Sequence, residues 1–427
     1  MTSGTSSTDD DAPLPADASE ESSSLSSALS ALRRREHAPM ARWLRGHLFD
    51  QVIPFWTTHS IDERGGLLTC LTDSGEVLST DKWLWSQWRA VWVFSRIFNQ
   101  VDRNTRWLEL ARQIAEFCLE HGWDQSRDGW ALVLDRNGHI IRGHESIYVD
   151  AFAVYGLVEL YRATGDARFI DQARRTADAA HRKLLGRPDE IPHFPYPIPR
   201  DAKPHGLPMI WSLKFAELAH ASGDERYAEI ARTFSDAIFT QFLQQDSQLI
   251  AEYVGTDGAP LAPPTGTVVV PGHALESLWF QIHVSHLIGH GQDRIRSIAD
   301  LILRHLVSGW DDSHGGGISL AIDTRGSSDV SWKFADSKLW WPHTEAIYST
   351  LLGWQHTDRA EFIDWYGTLW QFCLDHYVDR ANGEWRQKLD RNLRPLTDVI
   401  ALPVKDPFHL PRSLILQIEF LENAERR

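Results

Sequence analysis

The chain has 427 residues, a formal net charge of −15 and 42% hydrophobic residues, which is the composition of a globular protein with a large core. The acidic balance argues against nucleic acid or an anionic membrane as a partner. No apolar run reaches the roughly 18 residues of a membrane span, and the N-terminus lacks a hydrophobic signal core. Cys70, Cys118 and Cys373 form no CxxC pair, which argues against a disulfide framework or zinc site and favours a cytoplasmic location.

The N-terminal segment is acidic and rich in serine. Its first 32 residues contain six Asp or Glu and no Lys or Arg. Such a stretch buries too little apolar surface to offset the entropy lost on ordering. We therefore predict a disordered tail over 1–35, with a solubilising or regulatory role, followed by one catalytic domain over 36–427.

From about residue 36 onward the pattern is helical. Apolar residues recur every three or four positions over 148–166 and 209–224, each stretch stops at a glycine, and a second amphipathic stretch follows. The ordered chain divides into about six such helix pairs, with Asp- and Gly-rich turns that read as short β-hairpins. An open solenoid of these repeats is an alternative. The preferred architecture is all-α, an (α/α)6 barrel of six helical hairpins with short β-hairpins in the loops.

Two histidines follow breaks in the chain and precede charged residues. In PGHALESLW, His273 opens a helix and Glu276 lies on the same helix face, where its carboxylate could hold one imidazole nitrogen. In KDPFHLPRS, His409 stands beside a helix start and Arg412 lies just inside it, where the guanidinium could hold a sugar oxygen or a developing oxyanion. Capping or packed histidines are the alternative interpretation of both motifs.

Two tryptophan-rich stretches add further candidates. Gln87 and Arg89 lie within STDKWLWSQWRAVWVFSRIFN, and four more lie in SKLWWPHTEAIYS, namely Trp340, Trp341, His343 and Glu345. Sugars stack their apolar faces on tryptophan, and arginine stacks on aromatic rings. These stretches fit a carbohydrate-binding cleft, although tryptophan pairs also occur in cores and an arginine can extend to the surface.

Taken together, these motifs resemble the N-acylglucosamine 2-epimerases, also called renin-binding proteins. The resemblance runs in order from about residue 50 to 420 and includes PFWTTHSIDERGGLLTCLTDSGEV, SIYVDAFAVYGLVELYRATGD and PMIWSLKFAEL. The PGHxxE and PFHxPR elements are its most specific parts. The resemblance implies an (α/α)6 barrel and the interconversion of N-acetylglucosamine and N-acetylmannosamine.

The resemblance also implies the site. Its essential positions correspond to Arg89, His273, Glu345, His409 and Arg412. The two histidines would exchange the C2 proton of the open-chain sugar, the arginines would stabilise charge on O1, and Glu345 would bind a sugar hydroxyl or assist ring opening. The expected substrate-binding residues are Glu276, Trp340, Trp341, Gln87, Met209 and His343. No cofactor or metal is expected to be required, whereas ATP as an allosteric effector and a homodimer fit the family.

One stretch separates the branches of the superfamily. Cellobiose 2-epimerases and mannose isomerases resemble one another in an N-x-[HN]-M-H motif, where this chain has GLPMIWS, with Pro208, Met209 and Ile210. The missing histidine favours an N-acyl sugar, while His343 replaces a more usual glutamine. An aldose epimerase or aldose–ketose isomerase is the main alternative. A glycoside hydrolase, which needs two placed carboxylates, and a non-catalytic binding protein are the others.

Overall fold

The computed structural model describes residues 16–325, 330 and 332–425 and is built mainly from helices. The helices are α1 (Ala16–Arg33), α2 (Ala38–Gly46), α3 (Ile53–His59), α4 (Leu84–Arg96), α5 (Thr105–His121), α6 (Ile147–Thr164), α7 (Ala167–Leu184), α8 (Gly206–Ser222), α9 (Glu225–Ala237), α10 (Pro271–Ile288), α11 (Ile295–Gly309), α12 (Trp340–Thr357), α13 (Ala360–His376) and α14 (His409–Glu425). Short π-helical turns continue α2, α4 and α9, at His47–Val52, Ile97–Val101 and Ile238–Phe242.

The helices form two concentric rings. In the inner ring α4, α6, α8, α10, α12 and α14 each pack against the next, and α14 contacts α4 to close the circle. Outside them, α5, α7, α9, α11 and α13 each pack against the inner helix that precedes them, and α2 packs on α14. This is the predicted (α/α)6 barrel, and the solenoid alternative is wrong because the ring closes.

Inner and outer helices differ in how much of their surface is apolar. In α6 every residue from Ile147 to Leu160 is buried, so the helix is surrounded by protein on all sides. In α7 the buried positions recur at three- to four-residue spacing, and they are Phe169, Ile170, Ala173, Thr176, Ala177, Ala179 and Ala180. The outer helices therefore present one face to the ring and the other to solvent.

A Gly-Asp pair forms the turn between inner and outer helices in two of the hairpins. Gly165 and Gly223 adopt φ angles of 68° and 67°, a left-handed conformation that glycine reaches without strain and that ends α6 and α8. Asp166 and Asp224 then cap α7 and α9 by accepting a hydrogen bond from a backbone N–H two residues on. The sharp reversal that each hairpin needs is thus encoded in two adjacent residues.

Short antiparallel strands cover one end of the barrel. They are β1 (Cys70–Leu71), β2 (Val77–Ser79), β3 (Lys82–Trp83), β4 (Trp123–Asp124), β5 (Gly129–Trp130), β6 (Val133–Leu134), β7 (Ile140–Arg142), β8 (Ala202–Pro204), β9 (Tyr253–Gly255), β10 (Val268–Val269), β11 (Ile322–Asp323), β12 (Lys338–Leu339) and β13 (Lys388–Leu389). They pair as β1–β2, β3–β6–β7, β4–β5, β8–β9, β10–β11 and β12–β13. Because β3, β8, β10 and β12 lead into inner helices, the sheets lie where those helices begin.

The N-terminal segment differs from the prediction. Residues 1–15 lie outside the described residues, but Ala16–Arg33 forms helix α1, so the prediction of disorder is wrong there. Leu25, Ala28 and Leu32 recur at three- to four-residue spacing and are buried, and α1 packs against α2 and α13. This small apolar stripe buries enough surface to order the helix, although the acidic composition of the segment did not indicate it. None of the described helices combines the length and apolar character needed to cross a membrane.

Candidate active site

A cavity opens at the end of the barrel where all six inner helices begin. Its helical lining consists of Trp85, Arg89, Tyr148, Phe152, Gly206, Met209, Ile210, His273, Glu276, Trp340, Trp341 and His409. Loops and short strands complete the wall with Tyr196, Glu252, Tyr253, Gln387, Lys388 and Asp406, among others. Each helix N-terminus carries about half a positive charge, so six converging N-termini favour negative charge on a bound molecule.

His409 is held by a buried carboxylate from the neighbouring inner helix. Its Nδ1 donates to Glu345 Oε1 at 2.8 Å, which leaves Nε2 as the nitrogen available to a ligand. Trp279 Nε1 donates to the other oxygen of Glu345 at 2.8 Å. Burial alone would raise the pKa of Glu345, but the charge of Arg412 and the hydrogen bond from His409 outweigh it and lower that pKa. Glu345 is therefore ionised and fixes the imidazole tautomer.

Arg412 joins two carboxylates below the cavity. Its Nη2 donates to Glu345 at 2.7 Å and to Glu276 at 2.6 Å, and the residue is only 1% exposed. Glu276, Glu345 and His409 also bring three metal-type ligand atoms within 4.8 Å of one another. The guanidinium already lies between the two carboxylates, and we assign this group no metal.

Arg412 and Glu345 lie behind the residues that line the cavity. Both are almost fully buried, and their expected contacts with O1 and with a sugar hydroxyl stay predictions. Both are buried because each neutralises the other within the helical core. Their geometry suits them to hold His409 and Glu276 in place.

His273 has a different partner from the one predicted. Its Nδ1 donates to Glu252 Oε2 at 3.2 Å, and Glu252 comes from the segment just before β9. The expected partner, Glu276, binds Arg412 instead, because the guanidinium of α14 faces it across the barrel. Burial alone would lower the pKa of His273, but the Glu252 carboxylate outweighs it and raises that pKa.

One indole contacts both imidazoles. The ring centroid of Trp341 is 5.1 Å from that of His273 and 5.7 Å from that of His409. Trp340 stands edge-on to His409, with ring centroids 6.0 Å apart. The predicted tryptophan pair lines the cavity, and the two histidines, 136 positions apart in sequence, both contact Trp341.

Arg89 is the arginine that faces the cavity. Its Nη1 donates to Asp406 Oδ1 at 2.8 Å, and its guanidinium lies 4.1 Å from the ring centroid of Phe152. Asp406 also accepts the backbone N–H of His409 at 3.0 Å, so it caps the start of α14. Burial would raise the pKa of Asp406, but Arg89 lowers it, so one carboxylate positions the cation and the helix that carries His409.

The other predicted binding residues divide into two groups. Met209 lines the cavity. Gln87 lies outside it, because its amide donates to the backbone carbonyl of Leu67 and accepts the N–H of the same residue, which anchors a loop. His343 is also outside, since its Nε2 accepts from the N–H of Ile318, and burial lowers its pKa to about 3. Gln87 and His343 therefore have structural roles, and their assignment to substrate binding is corrected.

Sequence reasoning missed several cavity residues. Glu252 is an isolated acid within the apolar stretch LIAEYVG, and a buried carboxylate in such a run was a usable signal. Asp406 stands three positions before His409, where a helix cap is expected. Tyr196 comes from the proline-rich loop PHFPYPIP and gave no comparable signal.

Comparisons with known proteins identify the family and the fold. The family model described as N-acylglucosamine 2-epimerase (GlcNAc 2-epimerase) matches residues 66–410. The N-acylglucosamine 2-epimerase of Bos taurus is 30% identical over 88% of this chain and 90% of its own length. The cellobiose 2-epimerase of Dictyoglomus turgidum is 25% identical over 82% and 90%. A solved structure of cellobiose 2-epimerase from Bacillus thermoamylovorans superposes with a TM-score of 0.78 at 18% identity, covering 90% and 99% of the two chains. The chain therefore belongs to the N-acylglucosamine 2-epimerase family of carbohydrate isomerases.

Proposed function

We propose that the chain interconverts N-acetylglucosamine and N-acetylmannosamine by proton transfer at C2 of the open-chain sugar. The observation that carries the proposal is the pair formed by His273 and His409. Each holds a carboxylate through Nδ1, each packs on Trp341, and each lines the same cavity. Inversion at one carbon needs a base on one face and an acid on the other, which two imidazoles can supply near neutral pH.

The reaction proceeds through an enediol or enediolate. One imidazole removes the C2 proton, and the electron pair of that C–H bond moves into a C1–C2 double bond while negative charge develops on O1. The other imidazole then donates a proton to the opposite face of C2 and the carbonyl re-forms. The two imidazoles exchange roles when the direction is reversed. Proton transfer by placed groups contributes about 10²–10⁴-fold to the rate.

Charge on O1 is stabilised chiefly by Arg89. Its guanidinium is the arginine group that lines the cavity, and Asp406 fixes its direction. The six helix N-termini add their partial positive charges. Glu276 also lines the cavity and, held by Arg412, accepts a hydrogen bond from a sugar hydroxyl. Met209, Trp340 and Trp341 form apolar surfaces for the carbon chain.

The N-acyl sugar is favoured over the free sugar by two observations. The N-acylglucosamine 2-epimerase of Bos taurus is 30% identical to this chain, whereas the cellobiose 2-epimerase of Dictyoglomus turgidum is 25% identical. Ile210 lines the cavity and stands at the position of the last histidine in the N-x-[HN]-M-H motif of the unacylated-sugar branch. ATP as an effector, a homodimer and a cytoplasmic location remain predictions from the family and the sequence.

The test is NMR of N-acetylmannosamine with the pure protein in D2O, with and without ATP, beside a parallel sample of mannose. We expect N-acetylglucosamine carrying deuterium at C2, because the imidazoles exchange their protons with solvent. Conversion of mannose to glucose or fructose, with N-acetylmannosamine untouched, would contradict the substrate and place the chain with the unacylated-sugar enzymes. Activity that persisted in His273→Ala and His409→Ala would contradict the mechanism.

A further inference from the structure

Three aromatic side chains pack against one another on the cavity wall and form one apolar patch, which we call the aromatic box and define as Trp85, Tyr148 and Tyr196. Ring centroids lie 5.6 Å apart for Trp85 and Tyr148, 6.5 Å for Trp85 and Tyr196, and 6.0 Å for the two tyrosines. All three line the cavity. They come from α4, α6 and the loop before β8, so the box is assembled by the fold and is not a single sequence motif.

The box adjoins one of the two imidazoles. Tyr196 stands edge-on to His273 with ring centroids 6.3 Å apart and an interplanar angle of 88°. Trp341 contacts His273 at 5.1 Å and also contacts His409. In the proposed mechanism, the carbon that both imidazoles reach lies beside Trp341, the ring that they share. The substituent on that carbon can then extend past His273 toward Tyr196 and the box.

We infer that the aromatic box is the subsite for the N-acyl group and that it sets the length of acyl chain the enzyme accepts. This inference rests on the proposed function and identifies a feature of the substrate that the box recognises. An acyl group ends in an apolar alkyl part and carries a planar amide, both of which pack well on aromatic rings. A sugar with a free hydroxyl at C2 would leave the box unfilled.

Tyr148 gives the box a polar group. Burial, followed by the charge of Glu252, raises the pKa of Tyr148 well above its usual value, so its hydroxyl keeps its proton and can donate to an acyl carbonyl. Gly206 faces this hydroxyl, and a Cβ atom there would lie 3.0 Å from Tyr148 Oη. Glycine at this position therefore keeps the space beside the hydroxyl clear.

Tyr196 limits the size of the box. It is 40% exposed and lies on a loop, so its truncation opens the box without removing a core residue. In Tyr196→Ala, longer acyl chains should fit where the ring was. A merely structural role for Tyr196 would lower activity toward all sugars by the same factor and would not change the ranking of acyl lengths.

The experiment measures kcat/KM of the full chain for N-acetyl-, N-propanoyl- and N-butanoylmannosamine, with mannose as the sugar lacking an acyl group. We expect Tyr196→Ala to raise the ratio of butanoyl to acetyl activity by at least about tenfold, since one methylene that gains an apolar pocket has an effect of about this size and butanoyl is two methylenes longer. Tyr148→Phe should lower kcat/KM for all three N-acyl sugars and should leave any activity on mannose unchanged. Val307→Ala, which removes an exposed apolar side chain of the outer helix α11, is the control and should leave the profile unchanged.

The outcomes separate this inference from the proposed function. If the wild-type chain converts N-acetylmannosamine but Tyr196→Ala preserves the ranking of acyl lengths, the box is not the acyl subsite and the proposed function stands. If the wild-type chain converts mannose and none of the N-acyl sugars, both the proposed function and the acyl subsite are overturned.

Discussion

His409 and His273 each donate a hydrogen bond from Nδ1 to a carboxylate, but the two carboxylates are held by different parts of the fold. Glu345, the partner of His409, lies within helix α12 and also accepts from Trp279 and Arg412. Glu252, the partner of His273, lies in a connecting segment and its contact to the imidazole is longer, at 3.2 Å. One imidazole is thus fixed by the helical core and the other by a loop. We therefore expect that replacing the carboxylate by an amide lowers activity far more at Glu345, the partner of His409, than at Glu252, the partner of His273.

The largest effect is expected from Glu345→Gln. An amide has only one acceptor oxygen and no charge, so Arg412 keeps Glu276 as its one charged partner and His409 loses its tautomer control. We expect kcat to fall about 10³-fold or more, since both orientation and charge change together. The free energy of unfolding should fall by about 1–3 kcal/mol, the usual cost of losing a buried hydrogen-bond partner, because Arg412 still pairs with Glu276.

Steady-state kinetics and urea unfolding measure these two effects. Glu361→Gln, which removes an exposed carboxylate of α13 that pairs with Arg359, is the matched control and should alter neither. A Glu345→Gln enzyme with wild-type kcat would show that the carboxylate does not control His409.

A smaller effect is expected from Glu252→Gln. The Glu252 carboxylate raises the pKa of His273, so its removal should lower that pKa. In the direction in which neutral His273 acts as base, kcat/KM rises as pH rises through this pKa, and the midpoint should therefore move to lower pH. At neutral pH we expect a loss of only about tenfold, because the imidazole itself remains. A pH profile with an unchanged or higher midpoint would show that Glu252 does not act on His273.

The smallest effect on activity is expected from Lys214→Met, in the core of helix α8. Lys214 Nζ is fully buried, has no hydrogen-bond partner among the described residues, and lies 3.5 Å from the ring centroid of Tyr155. Burial, followed by the charge of Arg412, lowers the pKa of Lys214 well below its usual value. Methionine keeps the length and removes the unsatisfied amine. We expect kcat/KM within about twofold and a gain in unfolding free energy of about 1–3 kcal/mol.

The gain from Lys214→Met should depend on pH. The unfolded chain keeps this lysine protonated up to about pH 10.4, whereas the folded amine loses its proton at lower pH. Wild-type stability therefore rises with pH over this interval, and the advantage of methionine should be larger at pH 6 than at pH 9. Urea unfolding at the two pH values measures the difference, and a destabilised variant at pH 6 would contradict the account.

The fold was largely predictable because its signals are local. Apolar spacing and the Gly-Asp turns at Gly165 and Gly223 mark the hairpins, and six pairs of similar length fit a closed ring. Helix α1 was missed because Leu25, Ala28 and Leu32 form too narrow a stripe to outweigh an acidic composition. Its stability comes from packing on α2 and α13, which composition does not reveal.

The site was predictable in its residues more than in their contacts. The chain breaks before His273 and His409 identified both imidazoles, and both line the cavity. Their partners were harder to predict, because the Glu252 contact spans 21 positions and the Glu345 contact 64. Helical spacing suggested Glu276 as the partner of His273. Glu276 binds Arg412 of helix α14 instead, and His273 pairs with Glu252. Only the three-dimensional arrangement of the ring decides such pairings.

The most direct test of two imidazoles acting on opposite faces of C2 is solvent exchange without inversion. His273→Ala and His409→Ala, each checked for native folding by circular dichroism, are incubated in D2O with N-acetylglucosamine or N-acetylmannosamine, and the C2 proton signal is followed by NMR. We predict that neither variant forms the other epimer, and that each exchanges the C2 proton of one epimer only, a different one for each variant. Epimerisation by either variant, or exchange of the same epimer by both, would contradict the two-histidine account.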